Sequence, residues 1–393
     1  MRAERWLSSI EACAMLGVKR ATLYTYVSRG AIRCSGEGRT RRYHGDDVAR
    51  VARRAEARRG HAAVASGALR WGEAVLDTAI TSVGDDGFTY RGRPVDAMAR
   101  AREPFESVAD WLWSSPEGER WPEGVSSALR VDRALPIMER LVDAVTSLGR
   151  AEGGGVWADE SGERARARRL LRAMAASLGP RPIEAKGRVA ELAARSFGVE
   201  PSRAWLIDVA LVLTADHELN ASSFAARVAA SAGADLYGCV AAALQVVKGS
   251  RHGGTCDLIE SHLVRKDLDL EARIALGEQL PGFGHRLYPK GDPRVPPIFE
   301  ALSEAGLRGR RSDAVRAYLD AGARLSGEPP ALDAALVALS AAMDLPQGAA
   351  TSLFALGRVA GWVAHVFEQR RAGVLLRPRA RYVGPAVKPS DRP

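Results

Sequence analysis

The stretch Pro281-Gly282-Phe283-Gly284-His285-Arg286-Leu287-Tyr288-Pro289-Lys290-Gly291-Asp292-Pro293-Arg294 concentrates side chains that could do chemistry. His285 can donate a proton to a developing oxyanion, and Arg294 can hold a carboxylate bidentately. Three glycines and three prolines exclude a regular helix or a central strand, so a loop is expected. Alone, the stretch reads equally well as a charged surface turn. Two more histidines stand in polar or glycine-flanked breaks: His217 in Asp216-His217-Glu218-Leu219-Asn220, and His252 in Arg251-His252-Gly253-Gly254. No His-x-x-x-His or nearby carboxylate spacing joins the three, so no metal site is expected. The remaining histidines have plainer readings. His44 falls in a hairpin region, His61 in a linker and His262 on a helix; His365 lies at helical spacing on an apolar run, as a core histidine would.

Helices must position these groups. The 393 residues are 46% hydrophobic, 26% charged and only 6% aromatic, with Ala, Leu, Arg and Glu frequent. That composition favours a mainly all-α architecture of two or three domains. Helical periodicity predicts helices over 105–113, 133–148, 164–178, 188–196 and 205–215. A further helix is expected from about Ser222, carrying Phe224 and later Tyr237, and another over 239–247, apolar enough to be buried or in a subunit interface. Gly84-Asp85-Asp86-Gly87 predicts a hairpin, and Ala151-Glu152-Gly153-Gly154-Gly155 a flexible break. No run of about eighteen uninterrupted apolar residues occurs, so no membrane span is expected. A polar N-terminus and four cysteines without paired spacing (Cys13, Cys34, Cys239, Cys256) point to a reducing cytoplasm.

Charge is uneven. Residues 1–70 hold 15 Lys+Arg against 6 Asp+Glu, which accounts for the whole net charge of +9. A basic segment on a neutral body implies an anionic partner for that segment. Leu7–Val18 predicts a helix capped by Ser8 or Ser9 and stopped at Gly17, and Lys19–Gly30 a second helix. A basic-tipped β-hairpin follows around Arg39–Tyr43, and Asp46-Asp47-Val48 opens a third helix with Arg50, Arg53, Arg54, Arg58 and Arg59. Two short helices across a tight turn form a helix-turn-helix, whose second helix can read duplex DNA. The run Ser-x-x-Glu-Ala-x-x-x-Leu-Gly-Val-x-x-x-Thr-Leu-Tyr, followed by Arg-Arg-Tyr-x-x-x-Asp-Val, resembles the MerR/excisionase class of winged helix-turn-helix domains. Lys19, Arg20, Thr22, Tyr24, Arg41 and Arg42 are the candidate DNA contacts; a module that only docks on the body is the alternative.

Three blocks of the body carry a second resemblance. Asp216–Arg227, Lys248-Gly249-Ser250-Arg251-His252-Gly253-Gly254 and Pro281–Tyr288 resemble the signature blocks of citrate synthases. Glu73–Arg93 is similar to the family's N-terminal hairpin, and Phe354–His365 and Arg377–Pro385 to its C-terminal blocks, in consistent order over about residues 70–388. The resemblance implies large and small helical domains. With the N-terminal module the expected organisation is a winged helix-turn-helix domain over 1–60 and a linker over 61–69. A large domain follows in two parts, 70–252 and 342–393, with a small domain over 253–341 between them.

The implied reaction makes a carbon nucleophile from acetyl-CoA, adds it to oxaloacetate and hydrolyses the thioester. No cofactor beyond these substrates is implied. By resemblance His252 stabilises the enolate, His285 polarises the oxaloacetate carbonyl, and His217, Arg294, Arg358 and Arg377 bind substrate. In the family the last arginine reaches across from a partner subunit, which implies a homodimer. Arg286 and Lys290 are candidate CoA contacts. The base matches Asp333 in Pro330-Ala331-Leu332-Asp333-Ala334, with Asp344 a competitor in the wrong block and a dipole-stabilised helix acid the plainer reading. Two departures stand out. Thr255-Cys256 replace an expected Ala-Asn, and Ala331 and Ala334 replace an amide and an aromatic beside the base. The alternatives are 2-methylcitrate synthase acting on propionyl-CoA, and a DNA-binding regulator whose body senses a ligand.

Overall fold

The computed structural model describes residues 6–16, 18–28, 31–36, 41–49, 51, 75–84, 87–122, 131–153, 159–250, 252–265, 270–276, 278–378 and 384. Several expectations lie outside them: the 61–69 linker, Arg39, the arginines at 50, 53, 54, 58 and 59, Asp85-Asp86, Gly154-Gly155, Arg251 and most of the last C-terminal block. The chain divides into two units, residues 1–77 with 377–393, and residues 78–376.

In the first unit, β1 (Trp6–Leu7), α1 (Ser9–Leu16), α2 (Arg20–Ser28), β2 (Cys34–Ser35) and β3 (Arg42–His44) precede helical residues 45–49. Ser8 and Glu11 cap α1 reciprocally: Glu11 N–H donates to Ser8 Oγ (3.2 Å) and Ser8 N–H to Glu11 Oε2 (2.7 Å). The three strands pair antiparallel in the order β1-β3-β2. Leu7, Ala12, Leu16, Leu23, Ile32, Tyr43, Val48 and Val51 form a core of their own. α2 buries Leu23 and leaves Thr22 and Tyr24 exposed, with Lys19 and Arg20 exposed at its start. Arg42 is exposed and Arg41 half-buried. The expected helix-turn-helix and wing are therefore present, with the polar candidates outward.

The second unit starts with a meander, β4 (Thr81–Gly84), β5 (Gly87–Tyr90) and β6 (Arg93–Pro94), and is otherwise helical. α3 (Val95–Arg100) and α4 (Phe105–Trp113) follow, then α5 (Ile137–Ala151), α6 (Glu160–Ser177), α7 (Val189–Phe197) and α8 (Ala204–Thr214). The remainder are α9 (Ala221–Ser231), α10 (Leu236–Val247), α11 (Thr255–Val264), α12 (Leu270–Ala275), α13 (Val295–Ala305), α14 (Ser312–Ser326), α15 (Leu332–Ala342) and α16 (Ala349–Ala372).

Three boundaries differ from expectation for local reasons. α5 starts at Ile137 because Pro136 is its N-cap, so the helix does not reach back to Arg133. α6 starts a turn early because Asp159 accepts from Gly162 N–H at 2.7 Å. The helix expected from Ser222 through Tyr237 is two: Gly233 turns at φ +86°, and Asp235 caps α10 through Gly238 N–H at 2.7 Å.

α16 is the axis of this unit. It is long and apolar enough to cross a membrane by length and composition, yet its apolar window lies wholly inside the protein. Gly361 lets α8 approach: a Cβ there would sit 2.3 Å from Asp216 Oδ1, and its N–H donates to Ala215 O at 2.8 Å. This contact puts His217 on the face of α16 that carries Arg358. Gly361→Ala is expected to lower stability by about 1–3 kcal/mol and to weaken 2-oxoacid binding. Calorimetric melting and titration of oxaloacetate check both, and a wild-type melting temperature would refute the close-approach argument.

Candidate active site

The site residues come from several elements. Asp216 and His217 follow the last turn of α8. Asp216 is buried; it accepts from Thr81 Oγ–H at 2.5 Å and lies 3.3 Å from His365 Nε2. His365 is a buried histidine of α16, as expected. His217 Nε2 shares a 2.8 Å hydrogen bond with Tyr288 Oη from the glycine-rich loop.

That loop is tied to the approach to α15. Gly284 N–H donates to Pro329 O (2.9 Å) and Ala331 N–H to Gly282 O (2.8 Å). Gly282, at φ +84°, lets the chain pass between α11 and α15; a Cβ would meet Ile259 Cδ1 at 2.6 Å and Ala334 Cβ at 3.0 Å. His285 is thereby stacked on Tyr288 at 4.9 Å between ring centroids, and it meets His217 edge-on at 5.4 Å.

The histidines are neutral. Burial pulls His217 well below its ordinary value, helped by Arg294 and Arg358. His285 is lowered by burial and then by Arg294, and His252 falls to about 4 through burial and Arg358. A neutral imidazole has one N–H, and the neighbours locate it. Leu287 N–H donates to His285 Nδ1 at 3.2 Å, which leaves the proton on Nε2. His252 Nε2 lies 2.8 Å from Ser222 Oγ. Ser222 Oγ accepts from Trp362 Nε1–H (3.1 Å), and its own hydrogen can go to His252 or to Asn220 Oδ1. Asn220 Oδ1 already caps α9 by accepting Ser222 N–H (3.0 Å) and Ser223 N–H (3.1 Å).

Asp333 is the second residue of α15. A helix N-terminus favours a carboxylate, and Arg294 lowers it further, but burial outweighs both and raises its pKa to about 6. Asp344, by contrast, is exposed at φ +53° and accepts Arg310 N–H at 2.9 Å.

The two buried arginines differ. Arg294 already grips a carboxylate: Nε and Nη2 donate to Asp292 Oδ1 and Oδ2 at 2.8 and 2.6 Å. Arg358, on α16, is buried with Nε and Nη1 unpartnered. Burial lowers its pKa to about 10. An unpaired buried cation marks a place for an anion.

The second unit thus brings together His217, His252, His285, Arg294, Asp333 and Arg358. Arg286 and Lys290 are exposed on the loop, and Arg377 is exposed and clusters with the first unit. Among the described residues no group of three or more His, Cys, Asp or Glu could hold a metal ion.

The family description "Citrate synthase, C-terminal domain" matches residues 68–379. The chain belongs to the citrate synthase family. It is a citrate-synthase-type acyltransferase with an N-terminal domain, residues 6–56, that matches the description "Helix-turn-helix domain". A 2-methylcitrate synthase from Mycobacterium tuberculosis is 31% identical over 353 residues, covering 80% of this chain and 89% of that protein. A citrate synthase from Mycolicibacterium smegmatis is 31% identical over 358 residues, covering 80% and 94%. The crystal structure of citrate synthase from Thermotoga maritima superposes with a TM-score of 0.63 at 26% identity, over 82% of this chain and 98% of that one.

Four participants carry no assigned role in the sequence reading. Asp292 holds Arg294 and also accepts Leu332 N–H at 3.3 Å, one residue before Asp333. Ser222, Tyr288 and Cys256 touch His252, His217 and Asp333 respectively. The Asp-Pro-Arg spacing was a usable signal for Asp292. The others depend on contacts between distant segments.

Proposed function

We propose that the body condenses an acyl-CoA with oxaloacetate and releases a tricarboxylate and free CoA. The observation that carries this reading is Arg358, buried with two guanidinium nitrogens unpartnered beside three neutral histidines and a half-buried aspartate. Arg358, Arg294 and His217 hold the oxaloacetate carboxylates. His285 Nε2–H donates to its ketone oxygen, and the N–H of His252 donates to the thioester oxygen. Asp333 removes the α proton of the acyl group. The resulting enolate carbon attacks the ketone, a C–C bond forms, and water then cleaves the C–S bond. Neutral donors suit both oxygens, since they meet the charge as it develops. The glycine-rich loop closes over the ligands and excludes water during condensation, with Arg286 and Lys290 facing the CoA phosphates. Arg377 completes the site of a second copy in a homodimer. Large and small domains over 70–252 with 342–393, and over 253–341, move relative to one another, and the protein works in the cytoplasm without a further cofactor.

Free-thiol release from acetyl-CoA and from propionyl-CoA, each with and without oxaloacetate, tests this. Release only with oxaloacetate is expected, and none with either thioester would sink the reading. The faster thioester decides between citrate and 2-methylcitrate, because one methylene is worth about 1–3 kcal/mol of discrimination. A body that only sensed ligands would need no general base, and Asp333, with its pKa raised to about 6, favours the enzyme over that reading.

The N-terminal unit binds duplex DNA through α2 and the wing, with Lys19, Arg20, Thr22, Tyr24, Arg41 and Arg42 outermost. Binding should weaken steeply with salt and disappear on deletion of residues 1–60. Electrophoretic shifts at several salt concentrations measure it, and binding that survives the deletion refutes the assignment.

A further inference from the structure

Cys256 stands in the first turn of α11, fully buried, where that turn packs on the start of α15. Its Sγ lies 3.5 Å from Asp333 Oδ1 and 3.7 Å from Asp333 O. Burial first, and then the Asp333 carboxylate, push the thiol well above its ordinary range, so it is a protonated S–H donor. Both neighbouring oxygens only accept, and the charged one is nearer. Three other charged groups face Asp333: Arg294 and Asp292 from the loop and Arg358 from α16. None of them is hydrogen-bonded to its carboxylate, which leaves Cys256, among the described residues, as the side chain hydrogen-bonded to it.

We propose that Cys256 is a positioning residue for the condensation: its S–H donates to Asp333 Oδ1, fixes the carboxylate and leaves Oδ2 to take the α proton. This rests on Asp333 being the base. A thiol is a weak donor. It orients the carboxylate while stabilising its charged form only slightly, and so leaves a stronger base than an amide or hydroxyl donor would. The cysteine that replaces the expected asparagine therefore tunes the base.

The test is the pH dependence of kcat/KM for thiol release by the full chain, with whichever acyl-CoA it turns over. Cys256→Ala removes the donor, so the acid limb should move up by about 0.5–1 pH unit, since charge-stabilising hydrogen bonds lower carboxyl pKa values. Its kcat should fall several-fold, with the KM for oxaloacetate unchanged. Cys256→Ser restores a donor and should bring the limb back to the wild-type position or below it. An alanine variant with the wild-type limb, or alanine and serine variants displaced together, would overturn the proposal. Should the alanine variant fail to fold, the infrared S–H stretch of Cys256 decides, isolated as wild type minus Cys256→Ser. It should shift to higher frequency in an Asp333→Ala background, and an unmoved band overturns the proposal. Turnover by Asp333→Ala itself would remove the base assignment. Its loss, combined with an unshifted Cys256→Ala, would remove only the role of Cys256.

Discussion

Arg358→Met should make the ligand-free protein more stable and abolish its affinity for oxaloacetate. The guanidinium is buried on α16 with Nε and Nη1 unpartnered, and burial lowers its pKa from the ordinary 12.5 to about 10. A cation with a depressed folded-state pKa binds fewer protons when folded than when unfolded between those values. Stability therefore rises with pH through that window, and the penalty is fully present at neutral pH. That difference, already net of the attraction to Asp216, corresponds to about 3 kcal/mol, and methionine fills similar space without the charge. A net gain of about 1–3 kcal/mol is expected in denaturant titrations of the free protein. Oxaloacetate should raise the melting temperature of the wild type through linkage and leave the variant unmoved. The lost charge-assisted bonds should weaken the dissociation constant at least about 10²-fold, the scale on which a buried ion-pair partner is lost. A variant less stable than wild type without ligand would show that Arg358 supports the fold and that its empty donors are not a carboxylate site.

The sequence made the helices and the broken segments legible, because both depend on neighbours in the chain. The 105–113 helix and the loop around His285 follow from apolar spacing and from glycine and proline. The division of 222–237 into α9 and α10 was missed although its cause is local, since alanine-rich periodicity masked the turn at Gly233 and the cap at Asp235. Site membership was legible as block order. Its electrostatics were not. That Arg294 spends two donors on Asp292 while Arg358 keeps its own free depends on which side chains meet across segments far apart in the chain. The same holds for Cys256. It stands out in the sequence as a departure from the family pattern, and only the packing of α11 on α15 shows that it touches Asp333.

Asp333→Ala should reduce turnover by about 10²–10⁴-fold, the usual contribution of a general base, while oxaloacetate still binds. The carboxylate is raised from 3.8 to about 6 by burial, against Arg294 and the thiol of Cys256. With Asp333 as the proposed base the deprotonated form is the active one, so wild-type kcat/KM should rise with pH through about 6 and then level off. Burial lowers all three histidines from their ordinary range. Stability carries the opposite sign. A carboxyl group whose folded-state pKa exceeds its unfolded value holds more protons when folded between about 4 and 6, so stability falls as pH rises through that window. Above it the ionised carboxylate destabilises the fold, and Asp333→Ala should be the more stable protein at pH 7 and lose that advantage near pH 4. Calorimetric melting at the two pH values measures the crossover. A variant that keeps turnover means the base is misassigned, and one that melts lower than wild type at pH 7 means that burial does not strain the carboxylate. Arg358 and Asp333 then share one logic: each is held in a charge state that the folded interior disfavours, and the substrates relieve what the fold bears.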